Sequence, residues 1–177
     1  MEIQITQDLV QKKSITPNDA GCLQYIEDFL SQRGFINETL TFGRVKNLWS
    51  VKRNNGPLLV FLGHVDVVPT GPENEWEHDP FSGHDDGTFI NGRGTGDMKG
   101  GIACFMSALS RIDVDSLNYS IGFLITADEE GPSKDGTVKV VEELLQRNEK
   151  IDYKKEMCLL ICRIYANTWR SNNKNKK

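Results

Sequence analysis

The chain has 177 residues, enough for one domain with a real core, and its 38% hydrophobic and 26% charged residues are ordinary for a globular protein. A net charge of -4 gives no electrostatic reason to expect nucleic acid or an anionic membrane as partner. No run is long and apolar enough to span a bilayer, and MEIQITQDLV has neither the basic start nor the apolar core of a secretory signal, so the expected location is the cytoplasm.

In chain order, residues 14–35 carry Leu23, Ile26, Phe29 and Leu30 at helical spacing. Asn18 or Asp19 is placed to cap that helix and Gly34 to stop it. Leu40 to Phe42 and Leu48 to Val51 read as short strands. The run Pro57 to Gly63 (PLLVFLG) is continuously apolar, the pattern of a strand buried on both faces, and it ends at His64. Residues 70–96 are rich in Gly, Pro, Asp and Asn and read as loops, with one short strand near Phe89 and Ile90. Gly101 to Arg111 reads as a helix. Ser120 to Ala127 (SIGFLITA) reads as a second buried strand, ending at Asp128, Glu129 and Glu130. Thr137 to Asn148 reads as an amphipathic helix with Val138, Val141 and Leu145 on one face.

Buried strands alternating with helices predict an α/β fold with a doubly wound sheet and flanking helices. Ligands in such sheets bind at the carboxyl ends of the strands, and His64 and the Glu129–Glu130 pair both fall at such ends. Four cysteines without a CxxC spacing do not suggest a disulfide framework; Cys22 and Cys104, among helical apolar residues, read as small core residues.

Three segments carry residues suited to chemistry. In His64-Val65-Asp66 an imidazole can ligate a metal while Asp66 holds its other nitrogen. So short a pattern, taken alone, is more often a loop histidine beside an unrelated aspartate. Gly92 to Gly101 (GRGTGDMKGG) offers a tight backbone path and a lone carboxylate, Asp97. It lacks the GK[ST] ending of a phosphate-binding loop, and by itself it also reads as a glycine-rich turn whose Asp97 caps the next helix. Asp128-Glu129-Glu130 places three mutually repelling carboxylates at a strand end, which favours a cation nearby or a solvated acidic turn. Together these segments supply imidazole and oxygen donors without a nearby thiolate, a set suited to a catalytic zinc, cobalt or manganese. His78 and His84 read as exposed loop residues.

The runs GHVDVVPTGPENEWEHDPF, GRGTGDMKGG and TADEEGP resemble the two-zinc aminoacylase and carboxypeptidase family, over about residues 14 to 153. SITPNDAGC, ITADEEGPSKDGT and TVKVVEELLQRNEKIDY resemble the desuccinylase branch of that family. The resemblance implies a zinc-peptidase-like catalytic domain with a mixed sheet and two zinc or cobalt ions. It implies His64, Asp97 and Glu130 as metal ligands, Asp97 bridging, with Asp66 orienting His64 and Glu129 as general base. It further implies hydrolysis of a small N-acyl amino acid, N-succinyl-diaminopimelate. Acetylornithine deacetylation or aminoacylase activity is the alternative within the family, and a non-catalytic remnant or a nucleotide-binding domain the alternatives outside it.

The sequence also departs from that pattern. After Tyr153 no GEPT-like ligand motif follows, no histidine occurs beyond His84, and the part through which the family forms homodimers has no counterpart. The expectation is therefore residues 1–153 as the first part of an incomplete catalytic domain, and residues 154–177 as a divergent, frameshifted or disordered tail. With so few ligands per ion, weak metal binding and little or no hydrolysis are expected.

Overall fold

The computed structural model of the chain describes residues 1–156. Helices α1 (Glu2–Val10) and α2 (Cys22–Ser31) precede an antiparallel pair of strands, β1 (Ile36–Phe42) and β2 (Val45–Lys52). Strand β3 (Leu58–His64) follows, then a long loop region containing the two-stranded ribbon β4 (His84–Asp85) and β5 (Ile90–Asn91). The chain continues through α3 (Gly100–Leu109), β6 (Ser120–Thr126), α4 (Thr137–Gln146) and β7 (Tyr153–Glu156). The main sheet has the order β1-β2-β6-β3-β7. Its first two pairings are antiparallel, whereas β3 runs parallel to both β6 and β7. This is the expected α/β architecture with a mixed sheet and flanking helices.

The period-2 alternation of strand side chains divides the core between two faces. Leu48, Phe61, Phe123 and Ile125 pack on one side with α1, α2 and α3. Trp49, Val60 and Leu124 pack on the other with Val140 and Leu144 of α4. Every residue of β6 is buried, as the continuous apolar run requires for a central strand covered on both faces. Phe123 meets Phe35 and Phe105 edge-on at centroid distances of 5.8 and 5.6 Å. Each such pair adds about 0.5–1.5 kcal/mol beyond the area it buries.

Four expectations need correction. In α4 the buried residues are Val140 and Leu144, while Val138 and Leu145 are 56% and 66% exposed. The helix has two apolar stripes, and spacing alone could not choose between them. Cys104 is exposed on α3, a helix so uniformly apolar that its sequence does not mark the solvent side. His78 is half-buried and its ring stacks on exposed His84 at 3.8 Å between centroids. Asn18 and Asp19 accept hydrogen bonds from the backbone N–H groups of Ala20 and Gly21, closing the turn before α2 rather than capping the helix.

The α4 face is the thinner covering. A groove of about 570 Å³ lies along it, lined by Val60, Leu62, Val141, Leu144, Leu145 and Ile151 among others. Among the described residues no helix is long and apolar enough to cross a membrane. The tail expected over residues 154–177 falls, beyond Glu156, outside the described residues.

Candidate metal centre

His64 ends β3 and pairs in register with Thr126, the last residue of β6, so two parallel strands deliver their loops to the same edge of the sheet. Buried polar residues concentrate there: His64, Asp66, Lys99, Thr126 and Asp128. His64 is only 4% exposed. Its Nδ1 lies 3.0 Å from the main-chain carbonyl of Asp66 and 3.6 Å from that residue's carboxylate. A carbonyl only accepts, so Nδ1 carries a proton and the ring is fixed with Nε2 facing outward. Nε2 lies 3.0 Å from Asp97 Oδ1 and 3.7 Å from Glu129 Oε2.

Burial opposes charge on this imidazole. The Asp66 side chain, its carbonyl and the Asp97 carboxylate outweigh burial and push the pKa up to about 9. A cation bound at Nε2 would replace the proton there.

Asp97 sits in a kinked turn, Thr95–Lys99, in which Asp97 and Met98 leave helical geometry and the peptide between them is cis. Asp97 does not cap α3; the residue at that position is Lys99. The turn depends on Gly94, whose φ is +82° and where a Cβ would meet Val67 Cγ1 at 2.4 Å. Both facts exclude a side chain. The Met98 sulfur accepts the backbone N–H of His64 at 3.3 Å, joining this turn to the end of β3.

The acidic run after β6 is not three equivalent carboxylates. Asp128 is buried, and its Oδ2 accepts the backbone N–H groups of Lys134 and Asp135 at 2.9 and 3.0 Å, closing the loop on itself. Glu129 is exposed and Glu130 half-buried. Their backbone N–H groups point inward onto Asp66 Oδ1 and Oδ2, at 3.2 and 3.0 Å. Burial raises the pKa of Asp66, but His64 and these two N–H groups reverse the balance and hold it below the usual carboxylate range. Glu130 shifts the other way, raised by burial and by the Asp97 carboxylate.

Among the described residues, His64, Asp97 and Glu130 form the one group of three whose ligand atoms all lie within 4.8 Å of one another. The five residues singled out in the sequence thus meet at one edge, with Glu129 beside the triad and Asp66 beneath it. The donor set fits a metal ion. One imidazole is already oriented by a carboxylate and a carbonyl, and two carboxylates crowd together at a cost that a cation would relieve.

Sequence reasoning missed three contributors. Ser14 Oγ donates to the Val65 carbonyl at 2.6 Å, and backbone hydrogen bonds join Ser14 and Thr16 to Val67, so the SIT segment braces the loop carrying His64 and Asp66. Asp128 is a loop anchor rather than part of an acidic surface. Lys99 is wholly buried. Nothing in the sequence marked Ser14 or Lys99 beyond their positions in short motifs.

A family profile described as Peptidase family M20/M25/M40 matches residues 60–161, more than half of the chain. The chain belongs to the M20/M25/M40 peptidase family. A succinyl-diaminopimelate desuccinylase of Hydrogenovibrio crunogenus is 53% identical over 154 residues, covering 85% of this chain and 41% of the relative. One of Marinobacter nauticus is 50% identical over 153 residues with the same coverage. The chain therefore spans about 41% of the length of these curated relatives. Among solved structures, human carnosine dipeptidase 1 superposes with a TM-score of 0.77 at 20% identity, covering 88% of this chain and 37% of the other. The M20 metallo-carboxypeptidase Sso-CP2 of Sulfolobus solfataricus gives 0.77 at 22% identity with the same coverage. These two likenesses support the M20 fold of the described part.

Proposed function

We propose that this chain carries part of a metal-dependent amide hydrolase centre whose substrate is N-succinyl-LL-2,6-diaminopimelate, giving succinate and diaminopimelate. The observation that carries the reading is the His64–Asp97–Glu130 cluster, with Glu129 beside it, in a chain about half identical to desuccinylases. In this reading His64 and Asp97 would hold one zinc or cobalt ion, and Asp97 and Glu130 the other. Ions held there would supply Lewis-acid polarisation of the scissile carbonyl and would acidify water.

The remaining chemistry belongs to side chains. Glu129 takes the proton of the attacking water and passes it to the leaving amine. Two features suit it to that role: an exposed carboxylate, and a backbone N–H pinned to Asp66 so that the carboxylate stays close to His64. Asp66 keeps His64 in the tautomer that presents Nε2.

Each ion would receive two protein ligands from the described residues, fewer than the three typical of catalytic zinc. Beyond Glu156 the sequence adds no histidine or carboxylate side chain, so slow or absent hydrolysis is expected. Titration with cobalt followed by absorption, and an assay of succinate release, test the two halves separately. Binding without robust turnover is the expected result. Absence of cobalt binding would overturn the metal reading, and robust turnover would overturn the incomplete ligand set. Faster release of acetate from N-acetylornithine than of succinate would move the substrate to the alternative within the family.

A further inference from the structure

Lys99 is the largest of the fully buried side chains, at 0% exposure. A lysine so placed is rare without a carboxylate partner, because burial removes the water that stabilises its charge. Its hydrogen bonds run instead to main-chain carbonyls at the end of α1. Nζ donates to Leu9 O at 2.8 Å and to Lys12 O at 2.9 Å. These carbonyls lie at the C-terminal end of a helix, where the last carbonyls lack helical partners and the dipole favours a cation.

The same residue is bound to the turn that carries Asp97. Its backbone N–H donates to Gly94 O at 2.9 Å, closing the turn around Asp97. The end of α1 also presses directly on this segment: a Cβ at Gly92 would lie 2.5 Å from Val10 Cγ1. Gln7 and Gln11 of the same helix region donate to the carbonyls of Gly83 and Ser82 in the preceding loop.

Resting on the metal reading above, we infer that Lys99 is a positioning residue that clamps the C-terminal end of α1 to the Asp97 turn, so that α1 sets the place of the bridging carboxylate. The Lys99 side chain is the strut between them. Loosening α1 therefore loosens residues 92–101.

Hydrogen exchange of the full chain tests this, with cobalt affinity as a second readout. Lys99→Met keeps the apolar stem and removes the donor. Ile121→Ala is the control, since Ile121 belongs to the same core but sits at the opposite end of β6. Compared at equal global stability, Lys99→Met should raise exchange at residues 9–13 and 92–101 by about tenfold over the control. It should also weaken cobalt binding by about 10- to 100-fold, as loss of a ligand's support does. Equal exchange in the two variants would overturn the clamp. Should Lys99→Met fail to fold, Ile5→Ala decides, because it loosens α1 with Lys99 intact. Faster exchange at 92–101 supports the clamp, and exchange confined to α1 refutes it. A wild-type chain that binds no cobalt would refute the metal reading, while exchange still decides the clamp.

Discussion

The loops leaving β3 and β6 make an instructive pair. Each follows a buried parallel strand, and each turns one aspartate inward. Asp66 accepts the N–H groups of Glu129 and Glu130, 63 and 64 residues away in the chain. Asp128 accepts those of Lys134 and Asp135, six and seven residues on, within its own loop. Both are buried carboxylates that accept backbone donors, yet one joins two loops and the other organises one. Glu129 and Glu130 hand only their backbone N–H groups to Asp66, and their carboxylates stay beside His64 and Asp97. Where a carboxylate points, rather than what residue it is, separates framework from site.

That contrast orders the expected losses. Asp66→Ala should be the most damaging, because it removes the carboxylate on the Nδ1 side of the buried His64 and frees both tethered N–H groups. Loss of one partner of a buried pair costs about 3–5 kcal/mol, to be read from urea unfolding. Cobalt affinity should fall with it. Asp128→Ala should cost about 2 kcal/mol, the scale of lost hydrogen bonds to a charged group. Exchange should rise in residues 128–136 while the His64 loop stays protected. Equal spread of exchange in the two variants would erase the distinction between the loops.

A smaller effect probes where the loops touch. A Cβ at Gly131 would lie 2.8 Å from both Thr16 Oγ1 and Asp128 Oδ1. Gly131→Ala should therefore cost about 1 kcal/mol by overpacking, measured as a shift in the unfolding midpoint. An unchanged midpoint would mean that the SIT segment and the β6 loop yield freely to one another.

Much of this was legible in the sequence, for identifiable reasons. The two buried strands announced themselves as continuous apolar runs, and the rule that α/β sheets gather ligands at strand ends placed His64 and Glu130 together. Spacing could not give the buried face of α4, because Val138, Val141 and Leu145 compete with Val140 and Leu144 for the same period. Nor could it separate Asp128 from its two neighbours. Adjacent residues in a loop share a composition, and only the inward turn of the backbone tells them apart. Lys99 was hidden for a related reason: its partners are carbonyls 87 and 90 residues away, and carbonyls leave no mark in a sequence.

The smallest stability effect carries the sharpest functional contrast. Glu129→Gln and Glu130→Gln both alter side chains outside the packed core, so each should change unfolding free energy by no more than about 0.5 kcal/mol. Glu130→Gln should be neutral to slightly stabilising, since burial and Asp97 already disfavour charge on that carboxylate. Cobalt binding should separate them. Glu130 belongs to the triad of mutually close ligand atoms, so its loss should weaken binding about 100-fold or more. Glu129 stands beside the triad, with its Oε2 3.7 Å from His64 Nε2, and its loss should cost less than the roughly tenfold of a missing supporting contact. If Glu129→Gln proves the more damaging to binding, the proposed ligand and the proposed base exchange places, and the proton path must be redrawn through Glu130.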